Sequence, residues 1–123
     1  SFFNKLKKRG IDLIRLISPT TDSKRLKKML ASSSGYLYYV SLKGITGAEL
    51  KNFKEVKNKV KKIKSLTNLP VVVGFGIKDK VTAKKMASFS DGIVVGTKII
   101  DFIEKKSPHQ ISSFTKSLKK AIN

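Results

Sequence analysis

Four short runs of apolar and β-branched residues punctuate the chain: Asp12–Ile17 (DLIRLI), Leu37–Leu42 (LYYVSL), Val71–Phe75 (VVVGF) and Gly92–Val95 (GIVV). Each is nearly continuous in apolar character, the pattern of strands buried on both faces. Between them the apolar residues recur every three or four positions. The clearest case is Ala48–Leu66, where Leu50, Phe53, Val56, Val60, Ile63 and Leu66 form one stripe. Further helices are predicted from Asp22 to Ser32, from Asp79 to Phe89, just after Gly96, and over Pro108–Ala121, with Asp22 or Ser23 and Asp79 as N-caps. Phe2–Arg9 reads as the tail of an earlier helix. Strands alternating with helices predict βα units and a parallel sheet.

The spacing of these units bounds the architecture. Four strands in 123 residues is about half of what a complete barrel of roughly 250 residues requires. The chain is therefore either a small open α/β sheet or half of a (β/α)8 barrel, a single partial domain over residues 1–123. A free half-barrel would leave its first and last strands with open edges.

Composition changes this picture in one respect. The apolar share of 40% and the charged share of 28% are those of a globular protein, but the net charge is +19. Such a charge suggests nucleic acid or an anionic membrane as partner. Its make-up argues otherwise, because of the 27 basic residues only Arg9, Arg15 and Arg25 are arginine. Bidentate reading of phosphates and bases relies on the planar arginine fork. The lysines Lys51, Lys54, Lys57, Lys61, Lys62 and Lys64 fill the polar faces of a helix and read as a solvated surface. Neither a specific nucleic-acid partner nor a membrane is expected. No cysteine is present, which excludes disulfides and thiolate metal sites, and a cytoplasmic protein fits these features.

Candidate chemistry lies at the carboxyl ends of the strands, where parallel α/β folds bind ligands. After the second strand, Ser41–Glu49 (SLKGITGAE) has the glycines and hydroxyl of a mobile loop. After the third, Gly74-Phe75-Gly76-Ile77 lets backbone N–H groups approach an anion. After the fourth, Gly96-Thr97 opens a short helix, whose N-terminal N–H groups favour an anion. Gly76, Gly96 and Thr97 together suggest a phosphate cradle; the alternative is glycine turns needed for backbone geometry alone. Acid–base chemistry is harder to find. His109 follows a proline in a polar segment, Asp12 and Asp91 stand at strand starts, Asp22 and Asp79 read as helix caps, and Glu49 lacks an acidic partner. No general acid–base pair emerges.

The stretches Leu16–Thr21 (LISPTT), Gly35–Glu49 (GYLYYVSLKGITGAE), Leu69–Ile77 (LPVVVGFGI) and Asp91–Ile100 (DGIVVGTKII) resemble tryptophan synthase alpha chains, in the family's order and spacing. The resemblance implies the C-terminal half of a (β/α)8 TIM barrel, strands five to eight with their helices. It implies that Tyr38 lines the pocket near the indole ring. Ser41–Ala48 would be the mobile sixth loop, with Thr46 as the tip hydroxyl that orients a catalytic aspartate. Gly47, Phe75, Gly76, Gly96 and Thr97 would surround the substrate phosphate, with Thr97 in place of the family's usual serine. The family's reaction is the retro-aldol cleavage of indole-3-glycerol phosphate to indole and glyceraldehyde 3-phosphate, a carbon–carbon lyase step of tryptophan biosynthesis. Its catalytic glutamate and aspartate belong to the second strand and the following loop, upstream of Ser1. The resemblance thus implies no catalytic residue here, and an inert isolated segment. It also implies no metal or organic cofactor, and a beta-chain partner in an alpha2-beta2 tetramer, where the beta chain carries the pyridoxal phosphate. A half-barrel that binds phosphate without turnover, or a basic nucleic-acid-binding module, are the competing functions.

Overall fold

A computed structural model describes residues 1–41, 50–74 (backbone alone at 50–52) and 79–123. The elements follow in the order α1 (Phe2–Lys8), β1 (Arg15–Ile17), α2 (Ser23–Ala31), β2 (Leu37–Val40), α3 (Leu50–Leu66), β3 (Val71–Gly74), α4 (Lys80–Ala87), β4 (Gly92–Val94), α5 (Thr97–Glu104) and α6 (Pro108–Ile122). The strands form one sheet in the order β1-β2-β3-β4, parallel at every pairing. Consecutive strands are neighbours, so each helix crosses over to the adjacent strand, the repeat of a barrel wall.

The register sorts the strand residues onto two faces. Ile17, Tyr39, Val73 and Ile93 stand in one row, and Leu37 and Val71 in the row below. Their side chains pack against Leu26, Phe53, Val56, Val60, Ile63 and Met86 of the helices in one core. The alternation of burial along β2 and β3 is the period-two pleat. A smaller core joins Ala83 of α4 and Leu118 of α6 to Ile93, Val95, Phe114 and Ile122. It is extended by the edge-to-face pair Phe102–Phe114, with centroids 5.5 Å apart.

The elements agree with the expected ones in type and number, and differ at their ends. The first strand begins at Arg15 rather than Asp12 because the backbone before it is engaged elsewhere. The Leu13 N–H donates to Ser34 Oγ at 2.9 Å, and the Leu13 carbonyl accepts from the Ser34 N–H at 3.1 Å. The α3 stripe is buried at Phe53, Val56, Val60 and Ile63, but Leu66 is 46% exposed, because the helix ends beyond the edge of its core. Asp22 and Asp79 are caps, accepting from the Arg25 and Thr82 N–H groups, each at 2.7 Å. Each satisfies a donor left open by the first helical turn.

Asp91 is a clamp at the start of β4. Its Oδ2 accepts from the Val71 N–H at 2.8 Å, its own N–H donates to the Val71 carbonyl at 2.8 Å, and its Oδ1 meets Lys64 Nζ at 2.9 Å. The Val71 N–H is the chief cause that holds its carboxyl below the usual range; burial pushes the other way by less, and the hydrogen bond and charge of Lys64 add to the lowering. A depressed folded pKa contributes stability that is present above the unfolded value and lost as pH falls through the folded one. Asp91→Asn is expected to flatten the fall in stability below about pH 4 and to cost about 1 kcal/mol at pH 7, a modest figure because the pair is well solvated. Urea denaturation of both proteins between pH 3 and 7 measures it; parallel curves would remove Asp91 from the pH response.

Candidate active site

Val40, Gly74 and Val94 lie side by side in register, marking the carboxyl edge of the sheet. The face opposite the helix-covered core carries Leu16, Tyr38, Val72 and Gly92 in one row and Val40, Gly74 and Val94 in the next. Tyr38 is half-buried there. A Cβ added to Gly74 would overlap the Tyr38 hydroxyl and ring. The glycine therefore makes room for this tyrosine, which lies over the neighbouring strand and closes that part of the face. The sequence suggested Gly74 as a point of close backbone approach to an anion; within the described residues that approach is made by Tyr38. Gly74→Ala is expected to destabilise by about 1–3 kcal/mol through overpacking, and in a Tyr38→Ala background by much less. A double-mutant cycle in denaturant that found the two effects additive would show that Gly74 does not serve Tyr38.

The anion-directed feature is the start of α5. Gly96 is its N-cap, and no side chain caps the helix. The first N–H groups of any helix lack intrahelical partners and carry the positive end of its dipole. A Cβ at Gly96 would meet nothing within 4 Å, so open space adjoins the backbone there. Thr97 begins the helix and is exposed, and no acidic residue stands in the first turn. Lys98 stands in this turn, with its Nζ directed along the helix to 5.3 Å from the Phe102 ring centroid. Two features here were missed from the sequence. Lys98 looked like one more surface lysine. The hydroxyls at the carboxyl end of β1 also form a cluster, with Ser18 Oγ 2.9 Å from Thr20 Oγ1 and the Ser18 N–H donating to Thr21 Oγ1 at 3.2 Å. The proline–threonine run after that strand was the available signal.

Of the predicted site residues, Gly96 and Thr97 stand beyond the carboxyl end of β4, and Tyr38 stands in the second row of the sheet with its ring over Gly74 in the last. Thr46, Gly47, Phe75 and Gly76, together with Glu49 and the loop after Ser41, lie outside the described residues. Of the acids singled out in the sequence, Asp22 and Asp79 cap helices and Asp91 clamps a strand. His109 is exposed on α6. Among the described residues, no group of His, Cys, Asp or Glu could hold a metal ion, and no helix is long and apolar enough to cross a membrane. An open concavity lined by Ser1, Asn4, Lys5, Lys7 and Lys8 lies at α1.

A family model described as tryptophan synthase alpha chain matches residues 1–122. A tryptophan synthase alpha chain of Nitrosomonas europaea is 39% identical over 122 residues, which is 96% of this chain and 44% of that protein. A solved tryptophan synthase subunit alpha from Legionella pneumophila is 36% identical with a TM-score of 0.78, covering 98% of this chain and 45% of that one. A tryptophan synthase structure from M. tuberculosis is 21% identical with a TM-score of 0.83, over 98% of this chain and 44% of that one, a likeness of fold. The chain thus spans less than half the length of the relatives it matches. With a family match along nearly the whole chain, and a parallel sheet of alternating strands and helices that superposes on these structures, the chain belongs to the tryptophan synthase alpha chain family.

Proposed function

We propose that residues 1–123 are one partial domain, the C-terminal half of a (β/α)8 barrel, and that they supply the phosphate site of a tryptophan synthase alpha subunit. The complete subunit would cleave indole-3-glycerol phosphate to indole and glyceraldehyde 3-phosphate in tryptophan biosynthesis, in the cytoplasm and in an alpha2-beta2 complex with the beta chain. The observation that carries this reading is the uncapped N-terminus of α5, bordered by open space at Gly96. Its first-turn N–H groups would donate to the phosphate oxygens, and Thr97 would add a hydroxyl. Lys98 would contribute charge without the geometric demand of a bidentate clamp. Tyr38 would present an aromatic wall to the indole ring from the sheet face. Thr46, Gly47, Phe75 and Gly76 would complete the site from the two loops between.

The retro-aldol step needs proton transfer at the indole ring and at the glycerol hydroxyl. Asp22, Asp79 and Asp91 are committed to structure, and the proposed role of this segment is to bind and orient, with the acid and base supplied by the other half of the barrel. The isolated segment would then be inert. The experiment is a titration of the 123-residue chain with glycerol 3-phosphate, followed by an indole-release assay with and without the first half of a relative's alpha chain. Binding alone, and activity only on mixing, is the expected result. Indole release by the segment alone would overturn the assignment of roles. Binding that equals that of inorganic phosphate and vanishes in moderate salt would instead support a nonspecific basic surface.

A further inference from the structure

The outer wall of the helix layer is basic and nearly free of acids. No Asp or Glu lies within α2, α4 or α6, and α3 holds only Glu55. Lys54, Lys57 and Lys61 recur at intervals of three and four residues, so they line one face of α3, and all three are exposed. Glu55, one residue on from Lys54, is turned about 100° away from that line. Lys85 of α4 reaches α3, its Nζ 4.7 Å from the ring centroid of Phe53, and the exposed Lys84 precedes it. Lys64, one turn beyond Lys61, is held by Asp91 in the one salt bridge among the described residues. This wall is flanked by helices of the same chain: Lys62 of α3 reaches Ser23 of α2, and Ala83 of α4 packs with Leu118 of α6. The outer side of a barrel's helix ring faces away from the strands, so the other half of the proposed barrel leaves it open.

We propose that the α3–α4 wall binds the phosphate backbone of double-stranded nucleic acid, without sequence preference. Like charges three and four residues apart repel and destabilise a helix. A surface that serves solubility alone interleaves both signs. A polyanion laid along the wall relieves this repulsion and releases its own condensed counterions. At 1.5 Å per residue, Lys54 to Lys61 cover about 10 Å of helix, over which one nucleic-acid strand offers about three phosphates.

The residue types select this occupant. Lysine offers point charges without the arginine fork, which suits phosphates rather than base edges. Single strands are held by stacking on exposed aromatic side chains, and the aromatic residue at this wall, Phe53, is buried beneath Lys85. Membrane binding by a basic helix needs an apolar face that inserts, and the apolar stripe of α3 is packed in the core against the sheet. Protein interfaces are depleted in lysine at their centres. The sequence read these lysines as a solvated face; the structure adds that the line on α3 is free of carboxylates and runs beside the lysines of α4. The inference rests on this wall and not on the phosphate site at the strand ends.

Fluorescence anisotropy with a short labelled DNA duplex of arbitrary sequence, at about 50 to 200 mM salt, tests it. Five lysines on phosphates predict a slope of log affinity against log salt of about −4.5. The triple variant Lys54→Gln, Lys57→Gln, Lys61→Gln is expected to weaken binding about 100-fold and to make the slope shallower by about 2.7. Lys5→Gln, Lys7→Gln, Lys8→Gln on α1 removes the same charge elsewhere, and is expected to change affinity by less than about threefold. Equal losses in the two variants would assign the binding to net charge alone. Binding to phosphatidylserine vesicles in preference to the duplex would point to a membrane, and polyglutamate competing charge for charge would point to an acidic protein. Each of these results overturns the proposal, as does a lack of duplex binding at the lowest salt. Circular dichroism of the α3 variant is expected to match the parent; lost helix would make these lysines part of the fold and also overturn it. Glycerol 3-phosphate binding is measured separately, so a chain that binds it but no duplex sinks this inference and leaves the proposed function standing.

Discussion

Replacing Gly96 by aspartate is expected to remove phosphate binding while leaving the chain as stable as before, or slightly more stable. Gly96 is the N-cap of α5, and no side chain caps that helix. Aspartate is among the preferred N-cap residues, and its advantage over glycine there is a few tenths of a kcal/mol. The site has room for it, since a Cβ would meet nothing within 4 Å. The backbone φ of −119° is open to any residue, and capping by the carboxylate requires ψ to turn from −64° to the extended value seen at Asp22 and Asp79. The carboxylate would occupy the first-turn N–H groups that the phosphate is proposed to use, and would repel the anion. Losing charge-assisted hydrogen bonds of this kind corresponds to a fall in affinity of about 100-fold. Gly96→Ala is the control, because it keeps the amides and adds only a methyl to open space. Calorimetric titration with glycerol 3-phosphate and thermal melting of all three proteins would test this. Unchanged affinity in Gly96→Asp would move the phosphate away from α5. Lost stability without lost affinity would make Gly96 a backbone requirement, the alternative that its sequence pattern left open.

Truncating Ile63 to alanine is expected to cost about 2–5 kcal/mol, the range for removing a large buried side chain and leaving a cavity. Ile63 is 1% exposed on the sheet-facing side of α3, in the core that holds Leu37, Tyr39, Val71 and Val73. Domains of this size are stable by only about 5–15 kcal/mol, so the variant stands near the threshold of folding. Leu66→Ala, one turn further on at a residue 46% exposed, is expected to stay within about 0.5 kcal/mol. Urea denaturation midpoints of the two variants measure the contrast. Equal losses would mean that the stripe packs along its whole length, as its periodicity alone suggests. Exposure at Leu66 is what separates the two, and it depends on where the sheet ends, not on the helix.

Much of the fold was legible because its elements have distinct periods. The runs around Leu37 and Val71 are apolar throughout, while Phe53, Val56, Val60 and Ile63 recur at helical spacing, and both patterns follow from backbone geometry alone. Asp22 and Asp79 were readable as caps for the same local reason. Strand limits were less so. The start of β1 depends on Ser34 binding the Leu13 backbone across 21 positions, and no short-range pattern encodes that contact. The role of Gly74 was likewise hidden, since only the parallel pairing of β2 with β3 brings the Tyr38 ring over it. Lys98 could not be told from the other lysines until α5 set it beside an uncapped helix start.

The sequence by itself determined the βα alternation, the parallel sheet, the family and the strand ends at which to look for a ligand. Each of these is written in residue periodicity or in contiguous motifs. The tertiary structure alone decided which side of the sheet these helices cover, that the Tyr38 ring lies over Gly74, and that Asp91 clamps β3 to β4. These are consequences of register and of which strand lies next to which. Such choices rest on contacts between residues far apart in the chain, whose energies no local pattern carries.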